Sequence, residues 1–392
     1  MTWSRAERSR LAEWWFTVDR VLLATVLVIA GIGLMLSLAA SPAVALKRGL
    51  APFYFVERHV VFLAVALATM FAVSLLTAAE IRRLALAVLL ISFALMLLVL
   101  VTGLEVNGAR RWLEIGGYTL QPSEFAKPAF VVLTAWLFAE SGRRPDMPAI
   151  SAALAIYLTF VVLLVLEPDL GQTLLVSSIW GGLFFLANRP LKWFGVLMAA
   201  LGSALFAAYF AFGHVRWRID RFLHPGLGDS FQTERALRSF GEGGLFGKGP
   251  GEGTLKSALP DAHTDFIFAV IAEEYGVLAC LVILGLFALV AARVMLRQLA
   301  VPDPFQRLCA TGLALLIVLQ AIINMAVNVG LAPAKGMTLP LISSGGSSLV
   351  GIGLSLGLLL ALTRRRTSAA DLETPSFLPK SPAYGSPRSW RA

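Results

Sequence analysis

The chain has 392 residues, of which 57% are hydrophobic and only 15% are charged, and its mean hydropathy is +0.76. Soluble domains average roughly 45–50% apolar and about 25% charged residues, so this composition excludes an ordinary soluble protein and predicts a polytopic membrane protein. The formal net charge of +9 fits contact with anionic lipid. No basic and aromatic motif accompanies it, so nucleic acid is not an expected partner.

Ten apolar segments are long enough to be predicted as membrane-spanning helices. They are residues 21–40, 59–77, 83–101, 125–140, 149–166, 171–186, 193–212, 264–291, 308–330 and 347–361. The predicted fold class is therefore all-α, a polytopic membrane protein of about ten transmembrane helices. The first segment is too long for the apolar part of a typical signal peptide, which favours an uncleaved anchor.

Three regions follow from this pattern. Residues 1–20 are basic and aromatic, as expected of a cytoplasmic segment at the membrane surface. Residues 21–366 form the predicted membrane domain. Residues 367–392 are rich in serine and proline and are predicted to be a disordered cytoplasmic tail.

Basic residues determine the predicted orientation. Arginine and lysine are concentrated at the N-terminus, in the short loops and after the last span, which places both termini in the cytoplasm. The long loops then lie on the outer face, at residues 107–124, 167–171, 213–263 and 333–348. The largest of them, 213–263, joins spans seven and eight. The chemistry of this protein is therefore expected outside the cytoplasm.

The first two outer loops carry charge. The first contains Arg110 and Arg111 and leads to Lys127, three cations that suit phosphate oxygens, although lipid headgroup anchoring is an alternative. The second contains Glu167 and Asp169 around a proline. A tight turn with a helix cap at Asp169 explains that pattern equally well.

A carboxylate, Asp265, stands where the large loop enters an apolar helix, and Glu273 follows inside that helix. A charge in hydrocarbon costs about 2.5–3.5 kcal/mol or more, so this segment is a candidate site. Helical spacing from Asp265 predicts that Ala269, Ala272 and Gly276 share its face and leave room for a substrate. Ion pairing with loop arginines is the alternative role for Asp265.

Glycine, proline and serine mark two further segments. Residues 241–253 contain seven glycines and predict either a loop that wraps a ligand or a flexible linker. Residues 333–348 predict a re-entrant segment that lines a cavity. Asn324 and Asn328, one helical turn apart, are expected to face it.

Five of these motifs resemble those of the SEDS family (shape, elongation, division and sporulation) of membrane peptidoglycan polymerases. The motifs lie at residues 107–112, 121–124, 168–171, 263–266 and 345–348, in the family's order, and the resemblance covers nearly the whole chain except the tail. Residues 335–340 are similar to division members of the family rather than elongation members. Ser344 departs from the family, which usually has tyrosine there.

The resemblance implies an inverting glycosyltransferase that joins lipid II units by β-1,4 bonds outside the membrane, with undecaprenyl diphosphate leaving. It implies Asp265 as the catalytic base. The residues expected to bind substrate are Arg110, Arg111, Glu114, Lys127, Asp169, Glu273, Lys335, Ser343 and Ser347. A divalent cation, Mg²⁺ or Mn²⁺, would assist departure of the diphosphate, although the sequence shows no ligand cluster for one.

The implied partners are lipid II, the nascent glycan strand, a class B penicillin-binding transpeptidase, other division membrane proteins and membrane lipids. The implied location is the bacterial inner membrane at the division septum. Three alternatives stay open: a lipid II flippase or other transporter, an elongation-type polymerase, and a scaffold for division proteins. Broken helices and intramembrane carboxylates suit transport as well, but chemistry clustered on one face favours an enzyme.

Overall fold

The computed structural model describes residues 10–106, 109–188, 231–259, 261–333 and 336–364, with isolated helical positions between 192 and 220. The helices of this part of the chain are α1 (Arg10–Thr17), α2 (Arg20–Lys47), α3 (Tyr54–Ser74), α4 (Ala78–Thr102), α5 (Ser123–Arg143), α6 (Ala149–Leu166), α7 (Leu170–Leu186), α8 (Phe231–Gly243), α9 (Ile267–Gln298), α10 (Pro304–Asn328) and α11 (Gly346–Thr363). Three strands, β1 (Leu104–Val106), β2 (Ala109–Ile115) and β3 (Tyr118–Leu120), lie between α4 and α5.

The fold is a polytopic helical membrane protein, as predicted. Among the described residues, α2, α3, α4, α6, α9, α10 and α11 are long and apolar enough to cross a membrane, and α7 is a shorter apolar helix of 17 residues. These helices and α5 correspond to nine of the ten predicted spans. The predicted span 193–212 lies largely outside the described residues, so the ten-span count stays a prediction.

Helix α11 lies at the centre of the bundle, between α3 and α5. Glycines make this possible: a Cβ on Gly353 would stand 2.4 Å from the carbonyl oxygen of Ala66 in α3. A Cβ on Gly351 would stand 2.7 Å from the carbonyl oxygen of Glu124 in α5. Small residues allow helix backbones to approach this closely inside a membrane, and here they bring three helices around one centre.

A break in α9 receives the glycine-rich segment. Gly276 has φ 78° and ψ 176°, which interrupts the helix, and the backbone N–H of Val277 donates to the carbonyl of Gly244 at 3.0 Å. The N–H groups of Lys248 and Gly249 donate to the carbonyls of Glu273 and Glu274 at 2.9 and 3.0 Å. The segment therefore packs against α9 and pairs with backbone groups that the break frees. It is not the flexible linker that was one interpretation of its sequence.

The sheet was not predicted. It decides which side chains of the loop at residues 107–124 face the bundle. Its order is β1-β2-β3, both pairs are antiparallel, and Glu114 pairs with Thr119. Because side chains alternate along a strand, Arg111 of β2 is buried while Arg110 and Glu114 are exposed.

Candidate active site

A cavity of about 480 Å³ opens between α3, the sheet, the turn at residues 261–266 and the segment at residues 336–349. Elements that are far apart in the sequence therefore meet at one place. The polar and charged residues in its wall are Arg58, His59, Arg111, Thr119, Gln121, Gln232, Asp261, His263, Thr264, Asp265, Thr338, Ser344, Ser347 and Ser348. Three of the predicted site residues, Asp265, Arg111 and Ser347, thus come together.

Asp265 lies in a turn before the helix and not in the helix. Helix α9 begins at Ile267, with Phe266 as its N-cap residue. The predicted shared face with Ala269, Ala272 and Gly276 is therefore wrong, because helical periodicity does not extend back to a residue outside the helix. The turn instead presents the half-buried side chain of Asp265 to the cavity.

Three consecutive backbone carbonyls hold this turn. The carbonyl of His263 accepts from the N–H of Ser344 at 3.0 Å, and that of Thr264 accepts from the hydroxyl of Ser343 at 2.6 Å. The carbonyl of Asp265 accepts from the side-chain amides of Asn324 and Asn328, each at 2.9 Å. Asn324 also donates to the carbonyl of Met337 at 2.6 Å, so the two asparagines meet the re-entrant segment as expected.

The surroundings of Asp265 raise its pKa to about 7. Burial is the main cause, and the nearby carboxylates of Asp261 and Asp169 raise it further, while the guanidinium of Arg111 lowers it. A carboxyl group with a pKa near neutrality can release and accept a proton at working pH, as a general base must.

Arg111 is anchored beside the turn between α6 and α7. Its Nε donates to the carbonyl of Glu167 at 3.2 Å and its Nη2 to the carbonyl of Pro168 at 2.5 Å. Its Nη1 lies 3.6 Å from Oδ2 of Asp169, a buried carboxylate that also caps α7 through the N–H of Gln172. Asp169 therefore orients the cation that faces the cavity, and the predicted helix cap is confirmed.

Lys127 lies inside the helical bundle and not in the cavity wall. Its Nζ donates to Oε1 of Glu124 and to Oε1 of Gln320, each at 2.9 Å, and only 2% of the residue is exposed. Gln320 in turn donates from Nε2 to the carbonyl of Thr338 at 3.2 Å. The ammonium group therefore supports the cavity wall through Gln320, and its predicted contact with phosphate stays untested.

Other predicted substrate-binding residues lie apart from the cavity. Arg110 pairs with Glu105 at 3.2 Å on the exposed side of the sheet, and Glu114 is exposed on the same strand. The carboxylate of Glu273 is fully buried and accepts from the N–H groups of residues 254–256 at 2.7–3.3 Å. Glu273 therefore stabilises the loop, because its oxygens accept hydrogen bonds from the loop backbone.

The two predicted serines have different surroundings. Ser343 is buried and accepts from the N–H of Leu339 at 2.8 Å, so it fixes the re-entrant segment to the Asp265 turn. Ser347 lines the cavity, and its hydroxyl accepts from the N–H of Gln121 at 3.2 Å. Lys335 lies outside the described residues.

The described residues contain no group of three histidine, cysteine or carboxylate side chains that could hold a metal ion. Asp265 and Asp261 are the carboxylates in the cavity wall, and Asp261 already pairs with Arg48 at 3.7 Å. Two carboxylates do not form an all-protein cage for Mg²⁺ or Mn²⁺, ions that are commonly held by one or two carboxylates together with substrate phosphates.

The contribution of α3 to the cavity was not predicted from the sequence. Phe55, Arg58, His59 and Phe62 all line the cavity. A polar Arg-His pair near the N-terminal end of an otherwise apolar span was a usable signal, since charged groups in spans tend to face a bundle interior or a water-filled cavity.

Comparison with known proteins shows the family of this chain. The family model FTSW_RODA_SPOVE, described as cell cycle protein, matches residues 19–368. The chain belongs to this family. The family resemblance seen in the five motifs is thereby confirmed.

Relatives of this family match over nearly their full length. The chain is 43% identical to a probable peptidoglycan glycosyltransferase FtsW of Caulobacter vibrioides, over 93% of this chain and 94% of that protein. It is 38% identical to a protein of the same name in Alkalilimnicola ehrlichii, over 93% and 94%.

Solved structures share the fold. One, from a study of the structural coordination of polymerization and crosslinking by a peptidoglycan synthase complex, has a TM-score of 0.73 at 30% identity, covering 89% of this chain and 98% of the other. The rod shape determining protein RodA of Thermus thermophilus has a TM-score of 0.66 at 30% identity, covering 90% and 99%.

Proposed function

We propose that this chain is a peptidoglycan glycosyltransferase that polymerises lipid II into glycan strands at the outer face of the cytoplasmic membrane during division. The observation that carries the proposal is the placement of one half-buried carboxylate, Asp265, in a cavity beside Arg111. Its relatives are named for this activity.

In the proposed reaction Asp265 accepts the proton of the acceptor 4-hydroxyl. The freed oxygen attacks the anomeric carbon of the donor sugar on the face opposite the diphosphate, so the new bond forms with inversion. The bond to the diphosphate breaks, and undecaprenyl diphosphate leaves as an anion. Arg111, which the carbonyls of Glu167 and Pro168 hold in place, offers positive charge to that leaving group.

A polymerisation assay tests the proposal. Purified protein is supplied with lipid II, alone and with its cognate transpeptidase, and the products are separated on gels. Wild type is expected to form glycan strands and Asp265→Asn none. Wild-type protein that folds, binds its transpeptidase and still yields no strands would overturn the proposal.

The alternative of a lipid II flippase makes a different prediction. A flippase would move lipid II across the bilayer of a proteoliposome without forming a glycan product. An elongation-type polymerase would make the same strands but partner a different transpeptidase. Translocation without polymerisation would therefore favour the transporter, and the choice of transpeptidase separates the two polymerases.

The proposed partner is a class B penicillin-binding transpeptidase with one membrane helix, together with other division membrane proteins. One solved relative comes from a study of a peptidoglycan synthase complex. Exposed apolar side chains such as Val61 of α3 and Leu90 and Ile91 of α4 offer a surface for a partner helix or lipid. Co-purification in detergent tests the partnership, and absence of any crosslinkable complex would count against it.

The proposed orientation has both termini in the cytoplasm, and the proposed location is the septum. A reporter fused after residue 228 is expected outside, and reporters after residues 144 and 366 inside. Finding the reporters at 228 and 144 on the same side would contradict the ten-span arrangement.

A further inference from the structure

Two histidines in the cavity wall have hydrogen-bonding capacity that the folded chain does not use. His59 of α3 is 1% exposed and His263 is 5% exposed, and both line the cavity. Both ring nitrogens of His59 and Nδ1 of His263 are buried without a hydrogen-bond partner in the described part of the chain. Unpaired buried polar groups cost stability, so a native protein that keeps three in one wall calls for an explanation, and a ligand that pairs with them supplies one.

The ring of His263 has a fixed position relative to Asp265. It packs on the ring of Phe55, with ring centroids 4.3 Å apart and planes tilted by 36°. Its backbone carbonyl is held by Ser344, and Asp265 follows two residues later in the anchored turn. The imidazole and the carboxylate are therefore presented to the same cavity by one rigid segment.

The charge state of this ring restricts the ligand chemistry. Burial and the nearby guanidinium of Arg48 lower the pKa of His263 to about 4, so its imidazole is neutral at working pH. A neutral imidazole has one donor and one acceptor nitrogen, which matches a hydroxyl or an acetamido group. A diphosphate needs positive charge instead, which Arg58 and Arg111 of the same wall supply.

We propose that His263 and His59 of the cavity wall bind the hydroxyl or acetamido groups of the acceptor sugar, in the cavity to which Asp265 is presented. This inference rests on the proposed function, because it assigns the acceptor subsite of that reaction. In this assignment the histidines bind the neutral saccharide, and the arginines bind the charged diphosphate.

Kinetics at varied lipid II concentration test the assignment. His263→Phe keeps a flat ring but loses both nitrogens, so KM for lipid II is expected to rise about five- to tenfold, as for one lost hydrogen bond. We expect kcat to change by less than about threefold, because the group that accepts the proton is intact. His263→Gln restores a donor and an acceptor and is expected to bring KM back to within about threefold of wild type.

His59→Phe provides a second variant. KM for lipid II is again expected to rise. The melting temperature is expected to stay unchanged or to rise, because the substitution removes a polar group that has no partner among the described residues. A matched control is Gln298→Leu, which also removes a buried side chain without a partner in the described residues but lies at the end of α9 outside the cavity. The control is expected to leave KM unchanged.

Binding measurements separate failure of this inference from failure of the proposed function. Equilibrium binding of lipid II to Asp265→Asn protein is expected to weaken about five- to tenfold when His263→Phe is added. Weaker binding supports the inference even if wild type makes no glycan, an outcome that overturns only the proposed function. Folded His263→Phe and His59→Phe proteins with wild-type KM and wild-type binding overturn the inference. If His263→Phe does not fold, His59→Phe and His263→Gln decide it.

Discussion

Asn328 joins the turn that carries Asp265 to the first turn of α9. Its Nδ2 donates to the carbonyl of Asp265 at 2.9 Å, and its Oδ1 accepts from the N–H of Ala269 at 3.0 Å. The N-cap residue Phe266 has no side-chain group that could cap the helix. One fully buried amide therefore caps the helix and fixes the carboxylate at the same time.

Asn328→Leu is expected to lower both kcat and the melting temperature. It removes the side-chain bonds to the Ala269 N–H and to the Asp265 carbonyl, which keep Phe266 (3.1 Å) and Asn324 (2.9 Å) as partners, and each lost hydrogen bond contributes about 0.5–1.5 kcal/mol. A small displacement of a catalytic group can cost about 10²-fold in rate, so we expect kcat to fall about 10- to 100-fold. Lipid II product gels and thermal melts of purified protein measure both effects.

A matched variant separates the two contacts of Asn328. Asn328→Asp keeps an acceptor for the Ala269 N–H but loses the donor to Asp265. A buried carboxylate that faces the carbonyl oxygens of Asp265 and Asn324 costs more than an apolar side chain, so this variant is expected to melt below Asn328→Leu and to stay impaired in kcat. An Asn328→Leu protein with kcat within about twofold of wild type would contradict this role.

Part of this site could be predicted from sequence and part could not. The i,i+4 spacing of Asn324 and Asn328 predicted a shared face toward the re-entrant segment, because helical periodicity is local. The position of Lys127 could not be predicted this way: its partner Gln320 lies 193 residues away, and only packing shows that the ammonium is already engaged. The contribution of α3 differs, because the polar pair Arg58 and His59 in an otherwise apolar span was visible in the sequence.

The pKa of Asp265 predicts a dependence of activity on pH. The base must be ionised to accept a proton, so kcat/KM is expected to rise with pH through about 7 and to be lost below it. Arg111 lowers this pKa, so Arg111→Gln should move the midpoint to higher pH as well as lower the rate. A pH–rate profile of each protein measures the shift, and an unchanged midpoint in a folded Arg111→Gln protein would contradict it.

The buried pair of Lys127 and Glu124 predicts a rescue. Lys127→Met leaves the Glu124 carboxylate buried and unpaired, which costs about 3–5 kcal/mol. Adding Glu124→Gln removes that charge and keeps an acceptor for Gln172, so the double variant is expected to recover most of the lost melting temperature. If Lys127 acts only as the counter-charge of Glu124, activity recovers with stability. A double variant that folds well but stays inactive would instead show that the ammonium itself is needed, at Gln320 or at the diphosphate.

Asp265→Asn provides the sharpest test of the proposed chemistry. Asparagine keeps the shape of aspartate but cannot accept the proton of the acceptor hydroxyl. General bases contribute about 10²–10⁴-fold, so glycan strands should fall below detection on product gels. The protein should still insert, melt like wild type and bind its transpeptidase, because the turn is held by the backbone carbonyls of residues 263–265 and not by this side chain.

Asp261→Asn is the matched control for that test. Asp261 is a second carboxylate in the same cavity wall, but its side chain is 45% exposed and it pairs with Arg48 at 3.7 Å. Asp261 raises the pKa of Asp265, so its removal should shift the pH–rate midpoint to lower pH while strand synthesis continues. Loss of strands in both variants would point to the charge of the cavity rather than to one base. A well-folded Asp265→Asn protein that polymerises near the wild-type rate would remove Asp265 from catalysis. It would favour the transporter, because a cavity that needs no base would serve to bind lipid II.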